Sequence, residues 1–203
     1  MSAVIAHEIR NPLTSLKGHA QLLAESLGGD TRQAKAQRVV NEAVRLQHLV
    51  SDLLDFARTG LVDRRPVDPA AVLRESIAEV APHRIVAHVQ DAPPVWSLDA
   101  SRVQQALTNL LRNAVQASPD EGTVDASVSA SDGCLTLEVR DCGPGIPPGE
   151  EEKIFEPFYT GRARGTGLGL ALVQRIVAQH GGVIVAHTAA QGGAVFRISI
   201  PTG

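Results

Sequence analysis

Asp99-Ala100-Ser101-Arg102-Val103-Gln104-Gln105-Ala106-Leu107-Thr108-Asn109-Leu110-Leu111-Arg112-Asn113-Ala114-Val115-Gln116-Ala117 contains neither glycine nor proline. Asp99 suits an N-cap, where a side-chain oxygen accepts from first-turn amides that have no partner inside the helix. The run predicts a long helix from Asp99 to about Ala117. Asn109 and Asn113 stand four apart, so both amides project from one face of that helix. Seen alone, such a pair is also what a polar stripe on an exposed helix looks like.

Outward from this helix the pattern changes type. Upstream, Asp68 and Pro69 predict the start of a helix over about 69–81, with proline in the first turn. Strand-like runs lie at Arg84–Val89 and Val95–Leu98. Downstream, strands are expected near 123–130 and 134–140, the latter from the alternation of Leu135, Leu137 and Val139. A last helix over about 168–180 is stopped by Gly181-Gly182, and strands near 183–188 and 194–200 close the chain. Strands mixed with segregated helices imply an α+β class, an α/β sandwich with one sheet covered on one face.

The first part of the chain reads differently. Ile5, Ile9, Leu13, Leu16, Ala20, Leu23 and Leu27 form one helical stripe, and Gly28-Gly29-Asp30-Thr31 breaks it as a hairpin turn. A second stripe follows at Val39, Ala43, Leu46, Leu49, Val50, Leu53 and Phe56. Two helices of about 25 residues, each roughly 38 Å long, cannot bury these seams alone. The economical solution is a homodimer closing a four-helix bundle. The periodicity stops at Arg58-Thr59-Gly60, and Asp63-Arg64-Arg65-Pro66-Val67-Asp68-Pro69 is polar and proline-punctuated. The expected organisation is therefore a helical hairpin over 1–60, a linker over 61–67 and a second domain over 68–203.

Composition narrows the function classes. Of 203 residues, 43% are hydrophobic and 20% charged, an ordinary globular balance. Nineteen Lys and Arg against 22 Asp and Glu give a net charge of −3, which offers no basic face for nucleic acid. Cys134 and Cys142 are too few for a disulfide framework or a paired-cysteine metal site. No apolar run approaches the roughly 18 residues that cross a bilayer, and no signal peptide opens the chain. A reduced, cytoplasmic setting is expected. Only six residues precede His7, so the first helix is expected to be short at that end, with a sensor lying outside this sequence.

His7 stands two residues from both Ile5 and Ile9, so it points away from their seam, with Asn11 and Thr14 on the same outer face. Pro12 follows where a helix interior disfavours it. The stretch Ala6-His7-Glu8-Ile9-Arg10-Asn11-Pro12-Leu13-Thr14 closely resembles the H-box of sensor histidine kinases, in the version of the nitrogen-regulation branch. The resemblance implies that His7 is the phospho-acceptor, Glu8 the adjacent base, and Asn11 the group that orients water or the acceptor in phosphatase chemistry. An imidazole with a pKa near 6.5 is mostly neutral above pH 7 and has a ring nitrogen free to attack. A carboxylate accepting the other ring N–H fixes the tautomer. His19, His48, His83, His88, His180 and His187 lack this context and read as structural.

Four further motifs occur in order: Asn109 to Ala114, Asp141-Cys142-Gly143-Pro144-Gly145, Phe155-Glu156-Pro157-Phe158-Tyr159, and Gly165-Thr166-Gly167-Leu168-Gly169-Leu170. Glycines before a helix offer backbone N–H groups to phosphate oxygens. Neither a Rossmann fingerprint nor a P-loop is present. Together the four resemble the N, G1, F and G2 boxes of the Bergerat-type ATP-binding fold, shared by histidine kinases, type II topoisomerases, Hsp90 chaperones and mismatch-repair ATPases. That resemblance implies ATP and Mg2+ as cofactors, with Asn113 on the metal and Asn109 supporting the phosphate end. It implies Asp141 on the adenine amine with Gly143 and Gly145 beside the ring. Gly165, Thr166, Gly167, Leu168 and Gly169 form the triphosphate run, and residues 156–165 the lid. Where relatives often carry Thr-Thr-Lys, this chain has Thr160-Gly161-Arg162, so Arg162, with Arg164 nearby, takes the lysine's place.

Two other readings compete. A Bergerat ATPase driving a clamp or chaperone cycle places a glutamate where Asn109 stands, and an amide has no useful basicity. A dimerisation scaffold without chemistry would not need the full motif set. The reading that accounts for all of it is autophosphorylation of His7, then transfer to an aspartate on a response regulator receiver domain.

Overall fold

The computed structural model describes residues 14, 16–23, 25, 31–57, 62–161 and 166–202. The chain divides into two compact units, Met1–Thr59 with Thr160–Leu168, and Gly60–Tyr159 with Gly169–Gly203.

In the first unit, residues 16–23 are helical and helix α1 spans Thr31–Ala57. The Gln47 side-chain amide donates to the Thr14 hydroxyl at 2.9 Å, a contact across 33 residues of sequence that ties the two helical pieces together. The apolar side chains buried here are small: Ala20, Ala36, Val40 and Ala43. Small residues let two helices approach closely. Val39, Leu46 and Leu53, spaced by seven, are exposed, as are Leu16 and Leu23 with the same spacing. The second stripe read from the sequence therefore separates into two seams. Ala43 belongs to the buried one, while Val39, Leu46 and Leu53 line an outer heptad seam.

The second unit is built on a five-stranded sheet. Its strands are β2 (Ile85–His88), β4 (Val124–Ser131), β5 (Cys134–Arg140), β6 (Val183–Thr188) and β7 (Ala194–Pro201). Their order is β2-β4-β5-β7-β6, with β2 parallel to β4 and every other pairing antiparallel. Alternation sends Val124, Ala126, Val128, Leu135, Leu137, Val139, Ile198 and Ile200 to a buried face. The opposite face carries charge: Glu138 and Arg197, register partners on β5 and β7, pair at 2.8 Å. Helices α2 (Pro69–Val80), α3 (Ala100–Ala117) and α4 (Gly169–Gln179) complete the core against the sheet. A five-stranded sheet with helices on its buried face is the sandwich expected from the sequence.

Helix α3 buries one face along most of its length. Val103, Ala106, Leu107, Leu110, Leu111 and Ala114 are all buried, at the three-four spacing of one helical face. Asp99 is its N-cap, accepting from the Arg102 N–H at 3.2 Å and the Ser101 hydroxyl at 2.9 Å. At the other end Ser118 donates its hydroxyl to the Ala114 carbonyl at 2.9 Å. Arg84 gathers the carbonyls of Val115, Pro119 and Gly122, which lie at the end of α3 and in the loop beyond it.

One strand was not legible in the sequence. β1 (Arg65–Val67) lies inside the segment read as a linker and pairs antiparallel with β3 (Trp96–Leu98), Pro66 facing Ser97. Three residues with an arginine and a proline show no alternation. Proline cannot donate to a ladder but is tolerated at the edge of a two-stranded ribbon. The Asp63 N–H donates to Asp99 Oδ2 at 3.1 Å, which fixes this ribbon to the N-cap of α3.

His180, the residue after α4, is fully buried. Its Nδ1–H donates to the Ile176 carbonyl at 2.8 Å and its Nε2 accepts the Asp99 N–H at 3.1 Å, which defines the neutral tautomer. Burial holds its pKa below the usual 6.5, against the pull of the Ile176 carbonyl. The unfolded chain thus binds a proton that the folded chain refuses, and the stability this residue contributes is lost as pH falls below about 6.5. The urea midpoint should fall between pH 7.5 and 5.5, and His180→Gln should flatten that dependence. A midpoint slope identical in the two proteins would count against it.

Candidate functional site

Asn109 and Asn113 lie half-buried on the face of α3 turned toward the start of α4. A Cβ on Gly169, the first residue of α4, would sit 3.8 Å from Asn109 Oδ1 and 4.0 Å from Asn113 Nδ2. Two amide side chains thus face a helix N-terminus, whose first N–H groups have no partner within the helix and carry partial positive charge. The resulting corner presents the Asn109 amide oxygen and the Asn113 amide nitrogen on one side and anion-attracting N–H groups on the other.

Asp141 leaves the end of β5 as a buried carboxylate. Its Oδ1 accepts the Gly143 N–H at 2.9 Å and the Ala194 N–H at 2.9 Å. Both of its side-chain hydrogen bonds among the described residues fall on Oδ1, so Oδ2 is left to accept from a ligand. The loop beyond it is locked onto α3. The Cys142 N–H donates to Ser118 Oγ at 3.3 Å, and a Cβ on Gly143 would lie 2.7 Å from the Ala117 carbonyl oxygen. Ala117 is one turn beyond Asn113, so the two clusters are positioned by a single helix.

The glycines of this loop answer to protein packing first. Gly145 has φ +81°, and a Cβ there would lie 2.6 Å from the Thr188 methyl. Thr188, at the end of β6, latches the loop: its hydroxyl accepts the Ile146 N–H at 2.9 Å and donates to the Ile146 carbonyl at 3.1 Å. Gly193 is more constrained still, since at φ +83° a Cβ there would overlap the Asp141 carbonyl oxygen. Thr188, Ser118 and Gly193 escaped the sequence reading. A hydroxyl at a strand end or after a helix has no distinctive spacing. The Gly192-Gly193 pair was the one available signal, and it looks like any turn.

The aromatic segment divides its labour. Phe155, in a single 3-10 turn over Lys153–Phe155, is buried and anchors the segment. Phe158 is exposed with φ +67°, and the Tyr159 hydroxyl donates to Glu150, which raises its pKa. Thr160 follows, exposed. Just before α4, Gly167 has φ +69° and the Thr166 hydroxyl accepts the Leu168 N–H at 3.4 Å. Leu168 is buried. His7, Glu8, Asn11, Arg162, Arg164 and Gly165 lie outside the described residues.

With this geometry in place, comparisons with known proteins are informative. Residues 1–61 match the His Kinase A (phospho-acceptor) domain. Residues 98–203 match the family described as Histidine kinase-, DNA gyrase B-, and HSP90-like ATPase. The chain is 36% identical over 209 residues to the sensor histidine kinase ZraS of Escherichia coli strain K12, covering 99% of this chain and 45% of that protein. It is 35% identical over 220 residues to the sensory histidine kinase/phosphatase NtrB of Rhodobacter capsulatus, covering 99% of this chain and 61% of NtrB. Among solved structures, full-length ShkA in complex with AMPPNP superposes with a TM-score of 0.79 at 31% identity, over 100% of this chain and 45% of ShkA. The histidine kinase ThkA in complex with the response regulator TrrA gives 0.73 at 27% identity, over 100% of this chain and 61% of ThkA. The chain therefore spans about half the length of these relatives.

The packing of Gly193 makes a direct test of the loop. Gly193→Ala forces both a left-handed φ on alanine and a clash with Asp141, and should cost roughly 2–4 kcal/mol in urea unfolding. An unchanged midpoint would mean that β7 and the Asp141 loop are not tightly joined.

Proposed function

Because this chain belongs to the sensor histidine kinases, carrying their phospho-acceptor and ATPase domains in one sequence, we propose that it binds Mg-ATP and moves the γ-phosphoryl group onto His7. The observation that carries this reading is the corner at Gly169, where Asn109 and Asn113 face the N-terminus of α4 on the same helix that fixes the Asp141 loop.

Asp141 Oδ2 accepts the exocyclic amine of adenine. By the family's motif order, Gly165, Thr166, Gly167, Leu168 and Gly169 would take the triphosphate, and Thr160 and Arg162 its γ end. Asn113 would hold Mg2+. An amide oxygen is the hard donor this ion takes. Phosphate oxygens of the nucleotide would supply its further ligands, as is usual for this ion. When bound, the ion neutralises charge on the phosphate oxygens.

His7 attacks the γ-phosphorus in line as its bond to the β,γ-bridging oxygen breaks and ADP leaves, while Glu8 accepts the other ring N–H, holding the tautomer and offsetting the charge that develops on the imidazole. Asn109 supports the phosphate end without the basicity to activate water, which favours transfer to a side chain over hydrolysis. Phospho-His7 then donates to an aspartate on a response regulator receiver domain, and Glu8 and Asn11 serve the opposing activity, hydrolysis of that aspartyl phosphate by water with release of inorganic phosphate. The functional form is a homodimer through the outer seam of Val39, Leu46 and Leu53, whose exposure and spacing are those of a helix awaiting a partner.

Three outcomes are expected. With γ-labelled ATP, the wild type acquires acid-labile, alkali-stable label, and His7→Gln and Asn113→Ala acquire none; label surviving His7→Gln would remove His7 as acceptor. Asp141→Asn keeps the two bonds on Oδ1 but turns Oδ2 into a donor. It should weaken ATP binding at least about 100-fold while leaving thermal unfolding nearly unchanged. Leu46→Lys with Leu53→Lys should convert the dimer to monomer by light scattering, and a dimer that persists would place the interface elsewhere.

A further inference from the structure

Helices α3 and α4 pack against each other in antiparallel sense, with polar contacts near each end of α4. At one end Gly169 faces Asn109 and Asn113; at the other His180 receives the Asp99 N–H. Asp99 and Asn113 are 14 residues apart on α3, a separation of roughly 21 Å along the helix.

The end of α4 has little freedom. The Gly182 N–H closes on the Val177 carbonyl at 2.9 Å, and Gly181 takes φ +65°. A Cβ on Gly182 would collide with the Ser199 carbonyl oxygen, so the chain leaving the helix is pressed against β7. The His180 ring then fills the space between this end and the N-cap of α3. Both of its nitrogens are engaged, one by each helix.

We propose that His180 is a positioning residue for the phosphate end of the nucleotide site: it sets the axial register of α4 against α3, and with it the spacing between Gly169 and the two asparagine amides. The adenine end is held by a different set of bonds, from Ser118, Thr188 and Ala194 to the Asp141 loop, none of which passes through His180. Loss of the clamp therefore degrades phosphate binding and spares adenine binding. A small displacement is enough, because phosphate contacts depend on position at the sub-ångström level.

The charged groups around the ring are Asp99 and Arg102 on α3 and Arg64 from the segment before β1. Protonation would place a second donor against the Asp99 N–H, next to two arginines and the positive end of α3, and would break the clamp. The register is thus sensitive to acid as well as to mutation.

This inference rests on the nucleotide reading above, and the experiment separates the two. Binding of ATP, ADP and adenosine to the full chain, with Mg2+ present, is measured by calorimetry for the wild type, His180→Leu and His180→Gln. The leucine variant should lose about tenfold in affinity for ATP and ADP and none for adenosine, while glutamine, which keeps a donor and an acceptor, should retain most of the affinity. From pH 7.5 to 6.0 the ATP affinity of the wild type should fall faster than that of His180→Gln, a comparison that cancels the nucleotide's own titration. Equal loss for all three ligands would overturn the proposal in favour of a general stabilising role, and so would no loss at all. Should the leucine variant fail to fold, the glutamine comparison decides alone, and parallel pH profiles overturn the proposal. A wild type that binds adenosine but not ATP would overturn the nucleotide reading itself.

Discussion

The second unit depends on one constraint: α3 must be buried along most of its length yet keep a single polar face open. Leu107, Leu110, Leu111 and Ala114 have no exposed surface, so the helix cannot rotate without bringing an aliphatic side chain into water or an amide into the core. Its axial position is fixed as well, by the bonds of Asp99 to Asp63 and His180 at one end and of Val115 and Ser118 to Arg84 and Cys142 at the other. The asparagines, the Asp141 loop and the start of α4 all take their places from it.

A helix held this way divides its surroundings into rigid and adjustable parts. The Asp141 loop is joined to three elements, by Cys142 to the end of α3, by Ile146 to β6, and by Asp141 itself to β7. Two of its glycines face protein atoms in the direction a side chain would take, so their first duty is to let loop, helix and strand close up. In the helical unit the same logic separates a tight seam of alanines and Val40 from a looser seam of leucines. One joins the chain to itself and the other faces outward.

How much of this was legible depended on the range of the interaction. Asp68, Asp99, Pro69 and Gly181-Gly182 announce helix ends through contacts within a few residues, and the helices end there. Alternation in Leu135, Leu137 and Val139 reported a sheet with one buried face, because burial is periodic along a strand. The asparagine pair and Asp141 were visible as residue types at motif spacing, and the fold brings the pair to Gly169. Thr188, Ser118 and Gly193 were not, since each acts on a loop tens of residues away and leaves no local trace. β1 was hidden for another reason: its three residues are held by β3 and by the contact of Asp63 with Asp99, not by any preference of their own. The two seams of α1 were merged because a three-four spacing does not say which neighbour each residue will meet.

The weld between Gly193 and Asp141 has a kinetic corollary. With β7 lying so close that no side chain fits between them, and with Oδ1 already committed to two backbone amides, the carboxylate that would read the base stands in place before any ligand arrives. A carboxylate held in advance would leave the observed affinity for a base unreduced by a small competent fraction. Encounter would then be governed by diffusion and orientation rather than by waiting for a pocket to assemble.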